Sequence, residues 1–112
     1  MGEQGDSYAQ FKLGVAYSKG LGVPRDFKQA VYWYQKAAEK RFTNAQLNLG
    51  LMYEKGQGVP LDYVEAHAWF NIAAFNGEDS AMRGRDILAN KMSPEQIAEA
   101  KYRARKWAKN HK

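Results

Sequence analysis

Ala9-Gln10-x-x-Leu13-Gly14-x-x-Tyr17-x-Lys19-Gly20-x-Gly22-Val23-Pro24-x-Asp26 is followed, 36 residues on, by Ala45-Gln46-x-x-Leu49-Gly50-x-x-Tyr53-x-Lys55-Gly56-x-Gly58-Val59-Pro60-x-Asp62. Laid over one another without a gap, residues 9–44 and 45–80 are identical at about 15 of 36 positions, a self-similarity that marks a repeat architecture. The second halves agree too: Ala30, Trp33, Tyr34, Ala37 and Ala38 match Ala66, Trp69, Phe70, Ala73 and Ala74.

Each unit reads as two helices. Ala9, Leu13, Ala16 and Tyr17 draw an apolar stripe at helical spacing, and Gly14 and Gly50 mark points where another helix can approach closely. The Gly20 to Pro24 run breaks the first helix, since glycine accepts the left-handed backbone of a helix end and the residue before proline is pushed toward an extended conformation. Asp26 with Gln29, and Asp62 with Glu65, have the spacing of an N-terminal cap and open the second helix. Ala30, Tyr34, Ala37 and Ala38 mark its apolar face, where rings fill the space left by small neighbours, so Trp33 and Trp69 read as packing residues rather than ligand-stacking ones.

After the second unit the pattern breaks. Ala81 keeps register with Ala9 and Ala45, but Asp86 stands where Gly14 and Gly50 predict glycine, and the Gly-x-Gly-Val-Pro loop does not return. Ser93-Pro94-Glu95-Gln96 carries an N-cap, a first-turn proline and a capping-box glutamine. It predicts a last helix from about Pro94 to Lys109, with Ile97, Ala100, Ala104 and Trp107 on its apolar side and Tyr102 and Arg103 outward or at the edge. At the other end, Gly5 is in register with Arg41 and Gly77, and Met1-Gly2 fall one period before Ala37-Ala38. The expectation is a fragment of a longer array, or a chain beginning without a cap, whose first helix leaves an apolar patch for another repeat or for self-association.

The expected fold is therefore all-α: an α-α superhelix, or solenoid, of antiparallel helix hairpins in a single domain over residues 1–112. Repeat one covers about 9–44 and repeat two about 45–80, with a half repeat and C-terminal capping helix over about 81–109. A hydrophobic content of 45% and an aromatic content of 13% supply the core that a disordered chain lacks. With no cysteine there is no disulfide framework, thiolate metal site or thiol nucleophile. No run approaches the roughly 18 apolar residues that cross a bilayer, and the first residues carry no signal-peptide pattern. The compartment stays open between cytoplasm and periplasm.

Residues about 5–80 resemble the Sel-one-like repeat family, relatives of the tetratricopeptide repeats, through the Leu-Gly-x-x-Tyr, Gly-x-Gly-Val and Trp-Tyr-x-x-Ala-Ala elements just quoted. Arg41 departs from the pattern, standing where the family has the glycine that Gly77 supplies, and the turn there is expected to differ slightly. The region from Ala81 to Lys109 is similar, more loosely, to the C-terminal ends of bacterial members. The resemblance implies a curved stack of helix pairs acting as an adaptor or scaffold, and it carries no catalytic residue over.

The residues themselves offer no catalytic constellation. His67, at the position of Val31, reads as a half-buried or surface histidine, and His111 belongs to the tail. Asp26 and Asp62 are spent as caps, and the other acids show only ordinary helix charge patterning. The Gly-x-Gly pairs follow helices and lack the Lys-Ser or Lys-Thr of a phosphate loop. The expectation is no cofactor, no metal and no enzyme. Non-motif positions on the first helix of each pair, which lines the concave face in tetratricopeptide-like stacks, are the candidates for partner contact: Lys12, Ala16 and Lys19, then Asn48, Met52 and Lys55, with Lys91 one period later. Such lysines suit an acidic protein or peptide partner, although a lysine at a helix C-terminus also complements the dipole. The net charge of +5 is concentrated in Lys101, Arg103, Arg105, Lys106, Lys109 and Lys112. This basic helix is the alternative site, for nucleic acid or an acidic surface; the lack of an aromatic-basic platform argues against nucleic acid. A hydrolase is the remaining alternative, and no residue supports it.

Overall fold

The computed structural model describes residues 3–111, with side chains from residue 6 onward; Met1, Gly2 and Lys112, which the register and tail readings include, lie outside it. The described residues form six helices and no strand: α1 (Glu3–Lys19), α2 (Phe27–Glu39), α3 (Thr43–Lys55), α4 (Tyr63–Phe75), α5 (Asp79–Ala89) and α6 (Pro94–Asn110). The repeat in sequence is a repeat in backbone geometry. Gly20 and Gly56 take φ of 69° and 67° at the ends of α1 and α3. The loops are then tied back by the Asp26 and Asp62 amides, which donate to the Tyr17 and Tyr53 carbonyls at 2.9 and 3.0 Å. The same aspartates cap α2 and α4, accepting from the Gln29 and Glu65 amides at 3.2 and 3.1 Å. The reciprocal bond of a full capping box forms at α6, where Gln96 Oε1 accepts from the Ser93 amide at 2.9 Å.

Helix pairs α1/α2 and α3/α4 are antiparallel hairpins, stacked through α2 against α3. What sets their closeness is a ring laid over a glycine. A Cβ placed on Gly14 would lie 2.5 Å from Tyr34 Cδ1, and one on Gly50 would lie 2.7 Å from Phe70 Cδ1. Around these contacts Ala30, Ala37, Ala38, Ala45, Ala66 and Ala73 are fully buried, so small side chains let backbones approach while the rings, with Leu49, Met52, Trp69 and Ile72, fill the volume. Polar stitching completes the stack. Buried Gln46 donates from Nε2 to the Ala38 carbonyl at 3.1 Å, and its Oε1 accepts from Asn76 Nδ2 at 3.4 Å, joining the ends of α2 and α4.

Three details differ from the sequence expectation. The turn at Arg41 is not altered: Arg41 takes φ of 71°, its amide donating to Ala38 at 2.9 Å just as Gly77, at φ 87°, donates to Ala74 at 2.9 Å. The hydrogen bonds at the helix end hold an arginine in a conformation that costs an L-residue roughly 1–2 kcal/mol. Leu13 is 42% exposed although its counterpart Leu49 is fully buried, because α2 covers α3 on the face that α1 leaves open. The third difference concerns the C-terminal end. Helices α5 and α6 do not close into a hairpin; both pack on α4, which is thereby buried on nearly every side, and they make no extensive contact with each other. Ala100 and Ala104 dock α6 on the stack, the Trp107 ring meets Trp69 edge-on at 5.6 Å, and Arg103 pairs with Glu65 at 3.0 Å. Ile97, on the same apolar side, is half-buried and also lines an open depression.

The ring-on-glycine contact makes a differential prediction. Gly50→Ala must displace Phe70 and is expected to cost about 1–3 kcal/mol. Gly84→Ala, whose new methyl would meet Phe70 at an ordinary 3.5 Å, should be neutral or stabilising by up to about 1 kcal/mol. Urea unfolding of the two variants checks it; equal midpoints would remove the interlock as the determinant of helix spacing.

Candidate functional site

Because α1 and α3 both pack mainly on α2, a groove runs between them with α2 as its floor. Its open volume is about 310 Å³. The floor is Tyr34, whose ring passes over Gly14 and whose hydroxyl meets the side chains of Ser18 from α1 and Asn48 from α3. Burial pushes the Tyr34 ionisation above the ordinary tyrosine value, and the two hydrogen bonds oppose that shift, so the hydroxyl is a neutral polar point on an otherwise apolar floor. Phe11, Val15 and Leu51 supply apolar walls, and Lys19 and Lys55, each in the last turn of its helix, stand at the rim beside Gln57. Apolar walls with a few convergent polar groups are the general chemistry of a binding cleft.

Four of the seven candidate residues come together here: Lys19, Asn48, Met52 and Lys55. Met52 is 5% exposed and serves the core as much as the groove. The other three do not join them. Lys12 is exposed, its ammonium 5.4 Å from the Tyr8 ring; Ala16 is half-buried outside the groove; and Lys91 lies in the turn after α5. Ser18 and Tyr34 were missed by sequence reasoning, which treated Tyr34 only as a packing ring. One signal was present: Tyr34 aligns with Phe70, and Asn48 aligns with Gly84, so the polar floor belongs to this step of the stack and is not repeated at the next.

Among the described residues no cluster of three or more histidine, cysteine or acidic side chains could hold a metal ion. His67 is not the half-buried or surface group expected from its alignment with Val31; it is 2% exposed, because α5 and α6 close over the face of α4 that carries it. Its Nδ1 accepts from Asn71 Nδ2 at 2.9 Å, and Asn71 Oδ1 in turn accepts from Arg85 Nη1 at 3.3 Å. Burial pushes the imidazole below its ordinary pKa; Arg85 and Lys101 push the same way and Asp86 opposes them. His111 stacks on the Trp107 ring at 4.0 Å and bonds the Trp107 carbonyl, which accounts for it as part of the end of α6.

The Sel1 repeat model matches residues 7–42 and 43–77. Among solved structures, a protective antigen of uropathogenic Escherichia coli strains displaying an SLR fold is 37% identical with a TM-score of 0.91, over 94% of this chain and 23% of that one. A Sel1 repeat protein from Oxalobacter formigenes is 36% identical with a TM-score of 0.74, over 91% of this chain and 44% of that one. Among curated proteins, DAP3-binding cell death enhancer 1 of Rattus norvegicus is 56% identical over 34 residues, 30% of this chain and 7% of that protein; the Mus musculus protein is 53% identical over the same length. The chain thus spans a small part of the curated relatives it matches and less than half of these solved chains. No helix among the described residues is long and apolar enough to cross a membrane.

The buried imidazole makes stability depend on pH. Its folded-state pKa lies below the unfolded value of about 6.5, so between the two the unfolded chain holds a proton that the folded chain does not. Its contribution is complete above about pH 6.5 and is lost as pH falls from there toward the folded-state pKa. Protonation of Nδ1 also removes the acceptor that Asn71 uses. Urea midpoints measured at about pH 7.5 and pH 5.5 should fall more in the parent chain than in His67→Gln; parallel falls would remove His67 as the cause.

Proposed function

The chain belongs to the Sel1 repeat family, and from that membership we propose that it is a non-catalytic scaffold that holds a protein or peptide partner in the groove between α1 and α3. Sel1 repeats mediate protein–protein interactions, and the family is generally non-catalytic. The observation that carries the groove reading is its floor: a buried tyrosine whose hydroxyl faces Ser18 and Asn48, present at one step of the stack and replaced by Phe70 and Gly84 at the next. Side chains that serve packing alone do not need that polar point, since Phe70 fills the equivalent place without it. Lys19 and Lys55 at the rim favour an acidic segment, whose carboxylates they would meet while its apolar side chains lie against Phe11, Val15 and Leu51. Nucleic acid is the weaker reading, because the lysines bracket an apolar trough rather than a row of phosphate-spaced cations.

A second contact surface is proposed on the outer face of α1, for a second copy of the chain. Leu13 is 42% exposed there, and Gln10 Oε1 beside it is buried without a hydrogen-bond partner, whereas its counterpart Gln46 is bonded through both Nε2 and Oε1. Position 40 is lysine where position 76 is the asparagine that satisfies Gln46, so a second copy could supply the donor that Gln10 lacks.

Two outcomes are expected. Combining Lys19→Glu with Lys55→Glu should weaken capture of a purified partner at least about tenfold by calorimetry while leaving the circular dichroism unchanged; unchanged affinity would remove this groove. In sedimentation, Leu13→Glu should abolish any concentration-dependent dimer of the parent chain. A parent chain that stays monomeric at high concentration refutes the α1 contact.

A further inference from the structure

We propose that the C-terminal end of the stack carries a second recognition site, a cation-lined pocket between α5 and α6 that takes a carboxylate side chain from an acidic peptide segment. It is separate from the α1/α3 groove and shares no residue with it.

The pocket exists because the repeat fails there. Neither the glycine nor the ring of the earlier hairpins recurs, Asp86 and Lys106 standing in their places, and α6 packs across α4, leaving a gap of about 250 Å³ lined at its base by Asn71 and Phe75. Its walls are Arg85 from α5, which is paired with the neighbouring Asp86, and Lys101 and Arg105 from α6. Lys101 and Arg105 are one helical turn apart, a spacing at which like charges destabilise a helix. Among the described residues neither has a carboxylate within ion-pair distance. Arg103, on the same helix, shows the contrast: it is bonded by both Glu99 at 2.8 Å and Glu65 at 3.0 Å. Folding thus neutralises the arginine that packs α6 onto α4 and leaves the two cations at the pocket for something else.

The third cation is pre-positioned. Arg85 Nε donates to Asp86 at 3.1 Å and Nη1 donates to Asn71, which is 4% exposed and itself anchored on buried His67. A guanidinium held by a buried polar chain loses little freedom when an anion arrives. Next to this pocket and sharing Lys101 and Arg105 with it, a second depression of about 380 Å³ is lined by Pro94, Ile97 and Ala98. Cations converging on one point beside an apolar trough match a carboxylate followed by an apolar side chain. A nucleic-acid strand would call instead for a run of phosphate contacts and stacking rings.

His67 reports on the site from beneath. The charged groups facing it are Arg85 and Asp86 from α5 and Lys101 from α6; an anion that neutralises the two cations must raise the pH at which the imidazole titrates. The test is calorimetry and proton NMR on the full chain at low salt with a blocked Glu-Glu-Leu-Glu-Glu peptide, its Gln-Gln-Leu-Gln-Gln counterpart, and a single-stranded oligonucleotide of equal charge. The acidic peptide is expected to bind and to move the His67 titration upward. Combining Lys101→Glu with Arg105→Glu should weaken it at least about tenfold with unchanged circular dichroism, and the pair Lys19→Glu with Lys55→Glu should leave the His67 response intact. Equal binding of the glutamine peptide, a stationary His67 titration, or tighter binding of the oligonucleotide would overturn the proposal. Loss of the His67 response in the Lys19/Lys55 variant would assign the peptide to the first groove instead.

Discussion

Tyr34 over Gly14 and Phe70 over Gly50 set the distance between the helices of each hairpin, and most other features of the molecule are consequences of that distance. A ring lying on bare backbone at van der Waals range brings two helices closer than any larger residue would permit, and it fixes their axial offset because the ring fits at one turn only. The buried alanines are then required to be small, since a longer side chain at Ala37 or Ala45 would hold apart what the glycines bring together. The same contact points the Tyr34 hydroxyl out of the far side of the hairpin, between α1 and α3. The packing rule and the groove floor are one side chain seen from its two ends.

Much of this was written in the 36-residue period. The hairpins, the left-handed glycines, the aspartate caps and the start of α6 at Ser93 are local devices, each specified by residues within a few positions, and such devices can be read from one strand of text. Arg41 escaped because its conformation is imposed by the hydrogen bonds of the preceding turn, which Gly77 shares, and not by its own preference. His67 escaped for a different reason. Its alignment with Val31 is correct, but the two positions have different neighbours: α4 is covered by α5 and α6 together, and α2 has no equivalent cover. Tyr34, Ser18 and Asn48 come from three helices, so no spacing along the chain announces that they meet. The lysine period was legible and partly misleading, since Lys19 and Lys55 share a groove while Lys91 keeps the register without the surroundings.

Repetition and its failure make different kinds of surface. Where two units stack in register, the geometry yields a shallow trough between first helices, and what distinguishes one trough from the next is substitution at positions the repeat leaves free. The pair Tyr34 and Asn48 against Phe70 and Gly84 is a substitution of this kind: the backbone is the same, and a polar floor is present in one case and absent in the other. Specificity built this way is inexpensive in stability, because the groups concerned lie beside the interlocking core rather than within it.

The last unit shows the other kind. A hairpin helix that finds its docking glycine replaced by an aspartate cannot settle on its partner, yet its alanine face still has to be buried. Helix α6 resolves this by lying on α4, where Ala100 and Ala104 meet the stack and Trp107 finds Trp69. That solution covers α4 from two sides and buries His67 and Asn71, polar groups that then require partners, and Arg85 supplies one of them. With neither the docking glycine, where Asp86 stands, nor the ring, where Lys106 stands, the last unit takes a different helix partner, and a buried polar network holds a cation at the edge of a gap. A hairpin stacked in register would close that gap; departure from the repeat leaves it open, with a buried polar network at its edge.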